Sequence, residues 1–260
     1  MPSRAAQRVH EGASGSPRRC AVSTRTHTLR RCGDYRALVV ENAAFLRWGQ
    51  GSPEASAKVF RVSEHFAVKM GHRVPLIEAE NMQFLAENSK VPVLKAHTAF
   101  RDADTKKSYI IMDYISGDTL QTLLPSLSVA EKDEISTLVK EAFTEMRSIP
   151  PPDYLGILNR NAYLHGVFWS DGLDPKISGP FASQQEMNVA IIEKLRQTES
   201  APSIRLLKNM VDQTLRNHRA LFTHGDLQPK NIIVERSLGD HGCPKIKITF
   251  IGGASMRGKV

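Results

Sequence analysis

The segment Phe222-Thr-His-Gly-Asp-Leu-Gln-Pro-Lys-Asn-Ile-Ile-Val234 constrains this chain more than any other. Asp226, Lys230 and Asn231 crowd a polar loop, and the run Ile232-Ile-Val234 after it is apolar and β-branched, the composition of a buried strand. A fold holding this segment has to bury the strand while leaving polar side chains accessible at its start. Alone, an Asp and an Asn between a helix and a strand amount to a capped turn, so the rest of the chain decides what the loop does.

Upstream, Lys58-Val-Phe-Arg-Val-Ser63 alternates and Phe66-Ala-Val-Lys-Met70 is a second short apolar run, which predicts a hairpin turning near Glu64-His65 with Lys69 in its second strand. Leu76 to Asn88 is rich in helix formers with Ala79, Met82 and Leu85 or Ala86 at helical spacing. Val91 to Phe100 and Ser108 to Ile115 read as further strands around the polar turn Arg101 to Lys107. Residues 35–115 are therefore expected to form a small antiparallel sheet carrying one helix.

From residue 116 to 260 the pattern turns mainly helical. Ser128-Val-Ala-Glu131 is a capping box, and Ile135, Leu138, Val139, Ala142, Phe143 and Met146 mark one helical face ended by Pro150-Pro-Pro152. Ser183-Gln-Gln-Glu186 caps another helix, and Ile204 to Ala220 is predicted as a last one with Leu207, Met210 or Val211, and Leu215 facing inward. The class predicted is α+β.

With 41% hydrophobic and 24% charged residues the 260-residue chain has the balance of a soluble globular protein. No apolar run approaches the roughly 20 residues a membrane span needs, and the start lacks a secretory signal's apolar centre, so a cytoplasmic protein without a membrane partner is expected. The formal net charge is +8, but seven arginines against the single acid Glu11 place +6 of it in residues 1 to 33. The basic character thus belongs to a tail, taken as residues 1–34, and no nucleic-acid partner is expected. An Arg- and Ser-rich start is also the composition of a mitochondrial transit peptide, but its weak apolar face favours a disordered extension or a misassigned translation start. Cys20, Cys32 and Cys243 have neither the number nor the spacing of a disulfide framework or a zinc site.

Phosphoryl transfer asks for a carboxylate near the acceptor hydroxyl and for oxygen ligands to Mg²⁺, and Asp226 and Asn231 supply one of each from one loop. His224 is read as a brace that holds the loop by hydrogen bonding. His-Gly-Asp-Leu-x-Pro-x-Asn followed by Ile-Ile-Val resembles the catalytic loop of aminoglycoside phosphotransferases and their relatives, which include choline and fructosamine kinases. Two further segments fit that family in the expected order. Phe66-Ala-Val-Lys69-Met-Gly resembles the strand whose lysine contacts the ATP phosphates, and Glu78-Ala-Glu80-Asn-Met82 the helix whose glutamate orients that lysine. Glu78 fits the Glu-Ala pattern, and Glu80 is the alternative. Tyr109-Ile-Ile-Met-Asp113-Tyr-Ile115 with Gly117 and Leu120 is similar to the hinge between lobes, where the main chains of Asp113 and Ile115 would meet the adenine edge. Gly179-Pro-Phe181-Ala-Ser183 resembles fungal-type members. Trp48-Gly-Gln-Gly51-Ser52 stands where the phosphate-covering loop is expected, with Gly51 and Ser52 as candidates although it is no glycine-rich fingerprint.

The resemblance implies a bilobal protein-kinase-like fold, ATP and Mg²⁺ as cofactors, a small-molecule hydroxyl as acceptor, and Asp226 as the catalytic residue that orients that hydroxyl or accepts its proton. One departure bears on activity. The family closes this stretch on Ile-Ile-Asp-Trp, whose aspartate binds Mg²⁺, whereas this chain reads Lys247-Ile-Thr-Phe-Ile-Gly252-Gly253 and has no acid after Asp240. Asp240 lies in the turn Gly239-Asp-His-Gly242. With Asn231 as the remaining protein ligand, a loss on the order of a thousandfold in rate is expected, and a non-catalytic nucleotide- or protein-binding pseudokinase is the alternative function. A splice or gene-model error in the last dozen residues and an incomplete helical lobe are the accompanying expectations.

Overall fold

The structure is a computed structural model that describes residues 46–47, 57–164, 166–238, 244–252 and 254–258. The tail, the onset of folding near residue 35, Gly51, Ser52, Asp240 and the three cysteines lie outside the described residues.

Five antiparallel strands make the first sheet, in the order β1-β2-β3-β5-β4. They are β1 (Leu46–Arg47), β2 (Lys58–Arg61), β3 (Phe66–Gly71), β4 (Ala96–Arg101) and β5 (Ser108–Asp113). The helix α1 (Ile77–Asn88) packs on one face. Alternation along β3 decides which side chains reach that face: Ala67 joins Ile110, Met112 and the α1 residues Ala79 and Met82, while Val68 turns to the opposite face with Ile111. Lys69, two residues after Ala67, shares the α1 side. The apolar run from Val91 begins as an outlier from this sheet. Phe250 N–H donates to the Pro92 carbonyl at 2.8 Å and Leu94 N–H to the Phe250 carbonyl at 3.1 Å, so this stretch pairs with a strand of the second half and β4 starts only at Ala96.

The chain then passes Gly117, where an added Cβ would lie 2.7 Å from the Val234 carbonyl oxygen. Only glycine allows this approach. Beyond it come β6 (Asp118–Thr119), α2 (Leu120–Leu123) and the long α3 (Val129–Ser148). The capping box at Ser128 and Glu131 forms in both directions. Ile135, Ala142 and Met146 of α3 are buried in a core with Phe222, Ile232, Val234, Ile246, Ile248 and Phe250, each of these side chains larger than alanine contributing about 1.5–3 kcal/mol on burial.

After a loop-rich stretch and α4 (Pro175–Ser178), α5 (Gln184–Leu195) and α6 (Ala201–Thr214) pack together. At α5 the Ser183 hydroxyl accepts from Glu186 N–H, but the Glu186 carboxylate reaches the N–H of Ala182 instead of that of Ser183. The last helix stops at Thr214, short of the expected Ala220. Leu215 leaves helical angles and Asn217 adopts φ 58°, after which Ala220–His224 is a strand, β7. Leu207, Val211 and Leu215 face inward, and Met210 is exposed. The period of two that buries Phe222 and His224 overrides the helical pattern there.

The polar loop therefore lies between two strands, not between a helix and a strand. β8 (Ile232–Leu238) follows it, pairs with β9 (Pro244–Phe250) and with β6, and β7 pairs with β10 (Ala254–Gly258). No helix among the described residues is long and apolar enough to cross a membrane.

Candidate active site

Lys69 and Glu78 meet where β3 faces α1. The lysine Nζ lies 2.6 Å from Glu78 Oε1, and the carboxylate is 9% exposed against 21% for the lysine side chain. Glu80 turns the other way, is exposed and accepts a hydrogen bond from Asn159. A half-buried lysine held in this way presents one fixed positive charge at low entropic cost.

The second group of side chains belongs to the loop after β7. Asp226 is exposed, and both of its carboxylate oxygens are held by amides: Gln228 Nε2 donates to Oδ1 at 2.5 Å and Asn231 Nδ2 to Oδ2 at 3.1 Å. Asn231 Nδ2 also donates to the Asp226 carbonyl at 2.8 Å. His224 is buried at the strand end, and its Nδ1 accepts the Asp226 N–H at 3.1 Å. Nδ1 is thus the acceptor and the neutral Nε2–H tautomer is required. Burial pushes the imidazole below its ordinary value, against the opposing pulls of the Ile251 carbonyl, Asp226 and Glu78. His224 lies within electrostatic reach of Asp226, Glu78 and Lys69, members of both groups.

The exit of β9 joins them. Ile251 N–H donates to the Asn231 carbonyl at 2.8 Å, and the next residue, Gly252, has φ 99° and passes so close to α1 that a Cβ would stand 3.4 Å from Glu78 Oε1. Sequence reasoning noticed Gly252 only as a missing acid. Its positive φ is the signal that the backbone turns against Glu78 there.

Asp113 and Ile115 follow the end of β5. The Asp113 N–H is taken by the Lys95 carbonyl at 3.0 Å. Its side chain accepts from His97 Nε2 at 2.5 Å, a contact sequence reasoning missed. The next residue, Tyr114, carries Arg61 over its ring at 4.3 Å.

A Mg²⁺ ion asks for oxygen donors and keeps much of its shell as water and phosphate. Asn231 uses Nδ2 toward Asp226, so its Oδ1 is left to face such an ion. The residues present fit a sparsely held ion. Among the described residues no three His, Cys, Asp or Glu side chains gather into a metal-ligating cluster.

The fold has counterparts among known proteins. A thermostable mutant of aminoglycoside phosphotransferase APH(4)-Ia, apo form, superposes with TM-score 0.53 at 12% identity over 85% of this chain and 72% of that one. A variant of the same enzyme in ternary complex with ADP and hygromycin B gives 0.52 at 12% identity, over 86% and 72%. The GDP complex of an aminoglycoside 2'-phosphotransferase-IIIa mutant gives 0.52 at 12% identity, again over 86% and 72%. These are likenesses of fold. Comparison with the curated proteins finds no match. The family model for APH, the phosphotransferase enzyme family, matches residues 40–243, which hold Lys69, Glu78, Asp226 and Asn231, and the chain belongs to that family.

Proposed function

We propose that the chain binds ATP and transfers its γ-phosphate to a hydroxyl of a small molecule. The observation that carries this reading is the closure of Lys69–Glu78 and Asp226–Asn231 onto one another through Ile251 and Gly252. In the proposed reaction an Asp226 oxygen accepts the acceptor's hydroxyl proton as the acceptor's own oxygen attacks the γ-phosphorus, and the bond from the γ-phosphorus to the β–γ bridging oxygen breaks so that ADP leaves. Gln228 and Asn231 fix the carboxylate's orientation, and Lys69 holds the α- and β-phosphates with Glu78 fixing the ammonium. Asn231 Oδ1 would hold Mg²⁺, which offsets phosphate charge when bound. Gly51 and Ser52 are proposed to cover the phosphates, and the Asp113 carbonyl and Ile115 N–H to receive the base. Structural neighbours complexed with ADP and hygromycin B or with GDP support a nucleotide and a small hydroxylated acceptor. We place the activity in the cytoplasm.

Labelled ATP incubated with aminoglycosides, choline, sugars and amino alcohols tests the reading. Transfer to one class by the native chain, reduced about 10²–10⁴-fold in Asp226→Ala, is the expected result. Equal transfer by both proteins sinks the role given to Asp226.

A second reading, nucleotide binding without transfer, is favoured by the sparse donor set, in which Asn231 contributes an amide oxygen and no acidic cluster accompanies it among the described residues. Transfer that arises only after an Ile-Asp-Trp sequence is restored behind Phe250 selects it.

A further inference from the structure

The segment that leads from the sheet to the helices is held by side chains, not by backbone pairing alone. In β4 the register against β5 slips between Ala96 and Thr98, which are both buried, and His97 between them is half-buried. A bulge of this kind re-aims one side chain. Here it aims the imidazole at the last residue of β5: Nε2 lies 2.5 Å from Asp113 Oδ1, and Phe66 packs edge-on against the ring with centroids 5.1 Å apart. The Asp113 N–H is already committed to Lys95, and the following N–H, of Tyr114, to the His65 carbonyl at 2.8 Å. The Tyr114 N–H shares a peptide plane with the Asp113 carbonyl, so the bond to His65 holds that plane from the β3 side while the His97 bond holds the Asp113 side chain beside it.

We propose that His97 is a positioning residue for the nucleotide base: its bond to the Asp113 carboxylate fixes the direction of the Asp113 carbonyl and the following Ile115 N–H, the edge against which a purine docks. The inference rests on the reading of this stretch as the base-binding edge. His97 touches neither the phosphates nor the acceptor, so its removal weakens the recognition of a base and leaves phosphate recognition alone. A single charge-assisted hydrogen bond, with the ordering it provides, corresponds to about tenfold in affinity.

The test compares two probes by calorimetry on the full chain: ATP, and inorganic tripolyphosphate, which has the phosphates without a base. His97→Ala is expected to bind ATP about tenfold more weakly with tripolyphosphate affinity unchanged, and His97→Gln, whose amide donates toward Asp113, to recover most of the loss. Asp113→Ala is expected to match His97→Ala, and the double variant to be no weaker than either single one, because the two share one interaction. A His97→Ala protein that loses affinity for both probes equally, or for neither, overturns the inference. A native chain that binds ATP no better than tripolyphosphate overturns the base-edge reading itself, and the inference with it.

Discussion

Lys69 Nζ and Glu78 Oε1 lie 2.6 Å apart across the join of β3 and α1, with the carboxylate nearly sequestered from water and Gly252 near the same oxygen. Removing the acid leaves a half-buried ammonium without its partner and frees the long lysine chain. Glu78→Ala is expected to lower stability by about 1–3 kcal/mol in urea unfolding and to weaken ATP binding about tenfold or more. Glu80→Ala, in an exposed side chain, is expected to do neither. Equal effects at the two positions contradict the pairing.

His224 makes stability depend on pH. Its folded-state value lies below the ordinary 6.5, chiefly through burial, so between that value and the lower folded one the unfolded chain binds a proton that the folded chain refuses. Stability is therefore fully present above about pH 6.5 and is lost as pH falls below it, at up to about 1.4 kcal/mol per pH unit from this group. His224→Asn retains an acceptor for the Asp226 N–H and cannot titrate. Its urea midpoint is expected to change less between pH 7 and 5.5 than that of the native chain, and parallel slopes for the two proteins would contradict the assignment.

Gly117 tolerates no side chain where the chain leaves the first sheet. A methyl there meets the Val234 carbonyl oxygen and Ile233 Cγ2 at 2.7 and 2.9 Å, both in the central strand of the second half. Gly117→Ala is expected to cost about 1–3 kcal/mol by overpacking. A midpoint in chemical denaturation that matches the native one would show that β8 gives way at little cost.

Ser128 and Glu131 form a reciprocal cap at the start of α3, and the Ser128 N–H and hydroxyl, both donating to Glu131 Oε2, hold that carboxyl below its ordinary value. Ser128→Ala removes one acceptor for the helix's free N–H groups. A loss of about 1 kcal/mol in urea unfolding is expected, and no change would mean that water replaces the cap without cost.

Much of this was legible in the sequence because local signals agree with the fold. The hairpin of β2 and β3, the helix α1 and the capped α3 follow from period and capping residues that act within a few positions. Where the structure departs, long-range pairing decides. Val91–Leu94 looked like the start of β4 because its apolar run has no local stop, but its backbone partner is Phe250, more than a hundred residues away. Leu215–Ala220 reads as a continuation of the helix because the strand that pairs with β7, β10, lies far along the chain. In the site, Asp226 and Asn231 stood out by type and spacing and Lys69 and Glu78 through the family resemblance, whereas His97 gave no signal. Its aim depends on a slip in register between β4 and β5, which no periodicity records.

The central claim is that Lys69–Glu78 and the Asp226–Asn231 loop form one nucleotide site, and calorimetric titration of ATP with and without Mg²⁺ into the native chain and Lys69→Ala tests it most directly. The account predicts Mg²⁺-dependent binding to the native chain that weakens about tenfold or more in the variant, as expected for a lost contact to phosphate. Binding that ignores both Mg²⁺ and Lys69, or no binding to the native chain, would contradict it.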